Sequence, residues 1–258
     1  MAYKPIVFNT DMVKAILEGR KTQTRRLVKD FAGKEKMRLL KPNDYGKYVT
    51  KDWREMLPDR GDGKVYCIKV CPPCEPGDIL WVRETWHKDA GRYMYRANYT
   101  ADERFFRNGR EVQISWEPPI YMPKEAARIF LQVNTVRPER LQNISEQDAI
   151  AEGVSRLYDH QSKAEYEDWA SKAGRTEKQS EWPWNNYLWH GNFGAHGMGN
   201  RMSDAWPYQF SGYENPRDSF SSLWNSTVQL KDWEDFGWDA NPWVWVIEFE
   251  RCEKPKGW

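Results

Sequence analysis

The sequence predicts an α+β fold in which a small mixed β-barrel is flanked by helices and interrupted by two long insertions. Strand-like segments occur at residues 79–86, 93–96, 129–136 and 243–250, far apart in the chain. The last of these alternates poorly between apolar and polar residues, which is typical of a strand buried on both faces. Since strands of one sheet are separated by long polar stretches, we expect those stretches to lie outside the barrel.

The chain has 258 residues, enough for one large domain or two small ones. We expect a single domain spanning residues 1–258. Its barrel core comprises residues of about 1–29, 75–154 and 236–252, and the insertions are about 30–74 and 155–235.

Composition excludes several classes of protein. The 39 Lys and Arg against 38 Asp and Glu give a net charge of +1, which excludes a uniformly basic protein that coats nucleic acid. No apolar run approaches the roughly 20 residues that cross a bilayer. The first residues lack the apolar core of a signal peptide, so a cytoplasmic location is expected. Four cysteines in this length do not indicate a secreted disulfide scaffold.

Helix signals recur along the chain. Asn9 precedes an amphipathic pattern that ends at Gly19, and Ser145 begins a second helix that ends at Gly153. Further helices are predicted at about 162–173 and 216–228. Three other local signals are a turn at 75–78, a polar turn or short strand at 20–26, and a glycine-rich loop at 191–199 that is a candidate lid.

Positive charge is concentrated in residues 14–41. This segment holds ten Lys or Arg and three Asp or Glu, a balance of +7, so the remaining chain is −6. A phosphate-facing edge has this charge pattern, and so does a solvated helix end followed by a loop.

The run Ile16-Leu17-Glu18-Gly19-Arg20-Lys21-Thr22-Gln23-Thr24-Arg25-Arg26 resembles the ASCH domain of the PUA-like superfamily. The other matching segments are 8–12, 76–78, 145–153 and 243–249, and the phrases at 81–86, 122–128 and 238–243 are similar to its phage and prophage branch. Together they cover roughly half of the chain. The resemblance implies a small β-barrel flanked by helices, with a cleft suited to a nucleoside or nucleic acid.

Small bacterial ASCH proteins include amidohydrolases that cleave N4-acetylcytidine to cytidine and acetate. Their catalytic lysine, threonine and glutamate match Lys21, Thr24 and Glu152. The resemblance therefore implies hydrolysis of N4-acylated cytosine nucleosides without a metal or organic cofactor. This chain departs from those enzymes by its two insertions.

Amide hydrolysis by these residues requires a base that activates the nucleophile. Thr24 is a poor nucleophile until a base accepts its proton, and Lys21 is a base only when neutral. We expect the neighbouring arginines and burial to lower the pKa of Lys21, and Glu152 to raise it while positioning the amine or shuttling a proton. If Lys21 and Thr24 act together, their side chains lie on one face, and this predicts a turn between the two residues. The alternative is an exposed lysine, an ordinary strand threonine and a surface glutamate.

Substrate contacts are assigned to Arg26, Trp81, Arg83 and Glu84. Trp81 and Arg83 share one face of the predicted strand, and an aromatic or arginine contact there suits a cytosine ring. The alternative is that these residues belong to the barrel core and to a rim of salt bridges around it. We expect most tryptophans after residue 169 to pack the core or the insertion.

The cysteines at 67, 71 and 74 invite a zinc interpretation. Their spacing is irregular and no second Cys-x-x-Cys follows, so Cys67, Cys71 and Cys74 are expected to be ordinary reduced thiols without metal. His160, His190 and His196 lack a paired ligand motif.

Two other functions remain open. An RNA-binding or RNA-cleaving module would use the same cleft and the basic segment 14–41 without amidohydrolase activity. In a third hypothesis the insertions block the cleft and the chain binds only a protein partner. The sequence indicates no oligomeric state.

Overall fold

The computed structural model describes residues 1–28, 72–100, 103–156, 184–187 and 213–258, and the backbone of two further strands. The strands are β1 (Tyr3–Val7), β2 (Gln23–Leu27), β3 (Arg54–Leu57), β4 (Tyr66–Lys69), β5 (Ile79–Arg83), β6 (Trp86–Asp89), β7 (Arg92–Tyr95), β8 (Phe105–Arg107), β9 (Arg110–Val112), β10 (Phe130–Arg140) and β11 (Trp243–Cys252). The α-helices are α1 (Thr10–Leu17), α2 (Glu146–Ala151), α3 (Pro216–Thr227) and α4 (Trp233–Phe236). Short 3-10 turns lie at Arg96–Asn98, Pro119–Tyr121, Lys124–Ala126, Leu141–Asn143 and Leu230–Asp232.

A five-stranded mixed sheet forms the centre of the molecule, which confirms the α+β class. Its strand order is β1-β5-β10-β11-β2, with β1 parallel to β5 and the remaining pairs antiparallel. The strands that the structure describes do not close into the expected barrel, because β1 and β2 remain the two edges of the sheet. The pairs β3–β4, β6–β7 and β8–β9 form separate two-stranded sheets.

The three helix predictions that fall on described residues are confirmed, and each of these helices has a side-chain cap. Asn9 accepts a hydrogen bond from the Met12 amide, and the Ser145 hydroxyl accepts one from the Asp148 amide, so both predicted caps satisfy amide groups that lack a helical partner. Asn215 caps α3 in the same way. The predicted helix at 162–173 and the loop at 191–199 lie outside the described residues.

Three strands differ from prediction in their presence or their limits. β1 was not predicted because it contains Pro5, which an edge strand tolerates. The segment predicted at 79–86 divides after Arg83, and the Glu84 amide donates to the sulfur of Met122 at 3.2 Å instead of pairing in the ladder. β10 extends past the predicted end through Pro138, after a register shift at Val133.

The main core lies between the central sheet and helices α1 and α3. In β11, four consecutive residues from Val244 to Ile247 are buried, which confirms that this strand is covered on both faces. The buried tryptophans of this core are Trp184, Trp224 and Trp245, in agreement with a packing role. A second, smaller core surrounds Met122 and Phe130.

The two proposed insertions are described only in part. Within the insertion proposed at 30–74, strands β3 and β4 pair antiparallel. Most of 155–235 before residue 213 lies outside the described residues. Among the helices that the structure describes, none has the length and apolar character needed to span a membrane.

Candidate active site

Strand β2 is polar in sequence but buried in the fold. Gln23, Thr24 and Arg25 are each only 3% exposed. Polar and charged side chains are rarely buried unless they have partners. The partners of this strand come from α2 and β10, so the fold brings distant acidic residues onto a short basic segment.

Lys21 lies in the irregular segment that joins α1 to β2. Its amide donates to the Ala15 carbonyl at the end of α1, and the Thr22 amide donates to the Ala151 carbonyl of α2. These two hydrogen bonds fix the segment against the C-terminal ends of both helices. The Lys21 side chain is therefore directed to the end of α2, where backbone carbonyls lack a helical partner.

The ammonium group of Lys21 contacts three oxygen acceptors. Nζ lies 2.8 Å from the Gln23 carbonyl oxygen, 2.7 Å from the Glu152 carbonyl oxygen and 2.8 Å from Glu152 Oε2. Both side chains are buried, since Lys21 is 4% and Glu152 3% exposed. The alternative interpretation, a surface lysine and a surface glutamate, is therefore wrong. Three acceptors match the three protons of a charged amine, which is the resting form in this geometry.

Arg25 holds the other oxygen of the same carboxylate. Its guanidinium nitrogens lie 3.1 Å from Glu152 Oε1, 3.3 Å from Glu139 Oε1 and 3.4 Å from Asp148 Oδ2. Gln23 also donates to Asp148, at 2.8 Å. Glu152 is thus fixed from both sides, by Lys21 at Oε2 and by Arg25 at Oε1.

The pKa of the Lys21 amine is lowered from its ordinary value. Burial is the largest cause, because it disfavours the charged form. The charge and hydrogen bond of Glu152 act in the opposite direction, and the like charges of Arg26 and Arg25 add to the lowering. Arg20, which we expected to contribute, instead places Nε 2.8 Å from Glu18.

Lys21, Thr24 and Glu152 border one cavity of about 240 Å³. Its aromatic wall consists of Phe8 from the end of β1 and of Phe220 and Trp224 from α3. Other lining residues are Val7, Asn9, Met12, Arg25, Arg26, Leu223 and Thr227. In the part of the chain that the structure describes, no protein group forms a hydrogen bond with the Thr24 hydroxyl, which leaves it available to a ligand.

Lys21 and Thr24 reach the same cavity without the turn that we expected between them. The turn lies earlier, at Glu18 and Gly19, and Thr24 is the second residue of β2. Lys21 approaches from the preceding irregular segment, so alternation along a strand does not separate the two side chains.

Arg26 is the one proposed substrate-contact residue that borders this cavity. Its guanidinium lies over the Phe8 ring at 5.1 Å and donates to the Val7 carbonyl oxygen at 2.8 Å. Burial lowers the pKa of Arg26, and Glu152 opposes that effect.

Trp81, Arg83 and Glu84 do not line the cavity. They pack in the second core or form polar contacts at its rim. Trp81 packs in the second core, with its ring 5.8 Å from that of Trp258. Arg83 donates to the Met122 carbonyl oxygen at 3.1 Å. Glu84 is 1% exposed and forms a bidentate salt bridge with Arg128, at 2.7 and 2.9 Å.

The cysteine cluster is described only at one position. The side chains of Cys67 and Cys71 lie outside the described residues, whereas Cys74 is buried, and burial raises the pKa of its thiol to about 11. Among the residues that the structure describes, no group of three or more His, Cys, Asp or Glu side chains is arranged to hold a metal ion.

Several residues of the site were not assigned from the sequence. Phe220 and Trp224 are four positions apart, and this spacing places them on one helix face. The sequence carried no signal that this face meets β2. Arg25 was considered only as a like charge beside Lys21, whereas it is the residue that joins Glu152 to Glu139 and Asp148.

Gly153 allows the close contact between α2 and Lys21. Its φ angle is +92°, and a Cβ atom there would lie 3.0 Å from Ala15 Cβ and 3.1 Å from Lys21 Cβ. We expect Gly153→Ala to lower the free energy of unfolding by about 1–3 kcal/mol more than Gly91→Ala. Gly91 has a similar φ of +82° but nothing within 4 Å, so it isolates the backbone strain from the crowding. Denaturant unfolding measures both; equal losses would contradict the proposed contact.

In comparisons with known proteins, no family model, no curated protein and no solved structure matches this chain.

Proposed function

We propose that this protein hydrolyses the N4-acyl group of acylated cytosine nucleosides, with N4-acetylcytidine as the simplest substrate. The observation that carries the proposal is the convergence of Lys21, Thr24 and Glu152 on one small cavity. These side chains supply a hydroxyl nucleophile, an amine with a lowered pKa and a carboxylate within one hydrogen bond of that amine. The resemblance of residues 16–26 to ASCH domains supports the same chemistry.

Acylation of Thr24 is the first step of the proposed reaction. Lys21 passes a proton to Glu152 across the 2.8 Å contact. The neutral amine then turns from its carbonyl acceptors toward Thr24 and accepts the proton of the Thr24 hydroxyl. The oxygen of Thr24 attacks the acyl carbonyl carbon, and the bond from that carbon to N4 breaks. Glu152 gives its proton to N4. Cytidine leaves with an amino group, Thr24 carries an ester, Lys21 is an ammonium and Glu152 a carboxylate.

Water completes the reaction by hydrolysing the ester. It gives its proton to the Lys21–Glu152 pair as its oxygen bonds to the acyl carbon, and the released Thr24 oxygen takes that proton back. The products are a carboxylic acid and the free enzyme. Arg25 does not touch the substrate in this scheme; it is a positioning residue that keeps Glu152 Oε2 directed at Lys21.

The cavity matches the size and character of a single substituted ring. Pockets for drug-sized ligands measure about 300–1,000 Å³, so a cavity of about 240 Å³ fits a smaller group. Aromatic side chains from β1 and α3 provide flat surfaces on which a cytosine ring stacks.

The single proton that Lys21 and Glu152 share predicts a falling pH profile. The active pair is a charged Lys21 and an ionised Glu152, and deprotonation of Lys21 leaves Glu152 without a proton for N4. Therefore kcat/KM should fall as pH rises through the pKa of Lys21, which burial lowers below the ordinary lysine value. Arg26→Gln removes a like charge and should move the midpoint to higher pH. The matched variant Arg20→Gln removes a charge that is paired with Glu18 and should leave the midpoint in place. Identical profiles in all three proteins would contradict the assignment of Lys21 as the base.

RNA binding through the basic segment receives no support from its described part. Of the cations in residues 14–28, Arg20, Lys21 and Arg25 are engaged in ion pairs. Residues 29–41 lie outside the described residues. Hydrolysis of an uncharged nucleoside should be nearly independent of salt, whereas phosphate binding weakens steeply as salt rises. Affinity for RNA that falls steeply as salt rises, in a protein that leaves N4-acetylcytidine intact, would favour RNA as the ligand.

A further inference from the structure

We infer that a second cavity beside the candidate active site binds the acyl chain, so that aliphatic acyl groups longer than acetyl are the preferred substrates. This inference rests on the proposed function. The cavity has a volume of about 610 Å³ and lies between the two edge strands of the central sheet, β1 and β2. Its size is within the range of about 300–1,000 Å³ that is usual for ligand sites.

The two cavities share part of their walls. Val7, Arg25, Arg26, Trp224 and Thr227 border both of them. The two cavities are therefore neighbours, and the side chains that they share are all that lies between a ring in the smaller cavity and a substituent in the larger one.

The register between β2 and β11 relates Thr24 to the wall of the larger cavity. Thr24 of β2 lies opposite Ile247 of β11, and Arg26 lies opposite Trp245. Directly paired residues of antiparallel strands point to the same face, with Cα atoms about 5 Å apart. Ile247 and Trp245 line the larger cavity, so Thr24, which borders only the smaller cavity, lies on the same face of the sheet as two residues of the larger one.

The wall of the larger cavity suits a hydrocarbon chain better than a ribose. Most of it is apolar, including Ile6, Leu80, Trp245 and Ile247. Two of its cations are already engaged, since Lys4 lies 3.1 Å from Asp78 and Arg25 has its three carboxylates. Ribose hydroxyls would lose hydrogen bonds to water there, whereas a chain of methylenes would gain from burial.

A series of N4-acylcytidines tests the inference. With acetyl, butanoyl and hexanoyl substrates, kcat/KM should rise about fourfold for each added methylene, the factor expected when one CH2 group leaves water. Val228→Phe narrows the larger cavity and touches only that cavity, so it should abolish the rise while leaving N4-acetylcytidine hydrolysis within about twofold. Leu230→Phe, at an exposed position outside both cavities, is the matched control and should keep the rise.

The outcomes separate the two proposals. Hydrolysis of N4-acetylcytidine with a flat or falling series overturns the acyl-chain inference and leaves the proposed function intact. Absence of hydrolysis with every substrate overturns both. Should Val228→Phe fail to fold, Leu27→Phe narrows the same cavity from β2, and calorimetric binding of hexanoate against acetate measures the site without turnover. Equal affinity for the two carboxylates would also overturn the inference.

Discussion

Thr24→Ala should abolish the hydrolysis of N4-acetylcytidine, with a loss in kcat of at least about a thousandfold. Removal of an attacking hydroxyl eliminates the covalent route, and losses of this size or larger follow when a nucleophile is deleted from a hydrolase. The fold should be unaffected, because Thr24 makes no side-chain hydrogen bond to the described residues. Initial rates and the free energy of unfolding, measured on the same preparation, check both statements.

Thr22→Ala is the matched control for this substitution. Thr22 lies two residues earlier, its side chain is exposed, and it does not border the cavity. Among the described residues, its hydrogen bonds to neighbouring elements come from its backbone alone, and alanine preserves them. If Thr22→Ala were as inactive as Thr24→Ala, the loss of activity would come from a disturbance of the backbone around residues 22–24 and not from removal of the Thr24 hydroxyl.

Glu152→Gln should lower both stability and activity. An amide at this position offers an oxygen to only one of its two cationic partners, Lys21 and Arg25, and turns an N–H donor toward the other. Loss of one member of a buried ion pair costs about 3–5 kcal/mol, so a decrease of that order in the free energy of unfolding is expected. Activity falls because the group that returns a proton to N4 is gone.

The appropriate comparison is Glu146→Gln in the first turn of the same helix. Glu146 is exposed, and its substitution should change the free energy of unfolding by no more than about 0.5 kcal/mol. If Glu152→Gln were equally mild, the carboxylate would not organise Lys21 and Arg25 as the structure indicates.

Local signals predicted the helices well, because capping and apolar spacing act within a few residues. Asn9 and Ser145 begin α1 and α2 as expected, and their side chains form the predicted hydrogen bonds. Strand limits were less predictable, since they depend on distant partners. Pro5 concealed β1, whose place at the sheet edge makes a proline acceptable.

The open sheet was also beyond the reach of local patterns. Closure depends on whether β1 and β2 meet, and the sequence of neither strand carries that information. In the structure the Arg26 side chain bridges them through the Val7 carbonyl oxygen.

The candidate site was predictable only in its three proposed catalytic residues, and only through a family resemblance. Lys21 and Glu152 are 131 positions apart in the chain, and nothing in the sequence between them reveals that Nζ and Oε2 lie 2.8 Å apart. Arg25 was undervalued because a buried arginine with three carboxylate partners has the same local sequence as a solvated one. The sequence did not reveal that Trp81, Arg83 and Glu84 lie away from the cavity, because an aromatic and charged strand is equally typical of a core and its rim.

Turnover of N4-acetylcytidine by the wild-type protein tests the central claim most directly. Absorbance follows the loss of the acylated base, and chromatography quantifies cytidine and acetate. The account predicts equal amounts of the two products, formed catalytically over many turnovers and at a rate nearly independent of salt. A folded protein that leaves N4-acetylcytidine and its longer-chain analogues intact would contradict the assignment of Lys21, Thr24 and Glu152 as an amidohydrolase site.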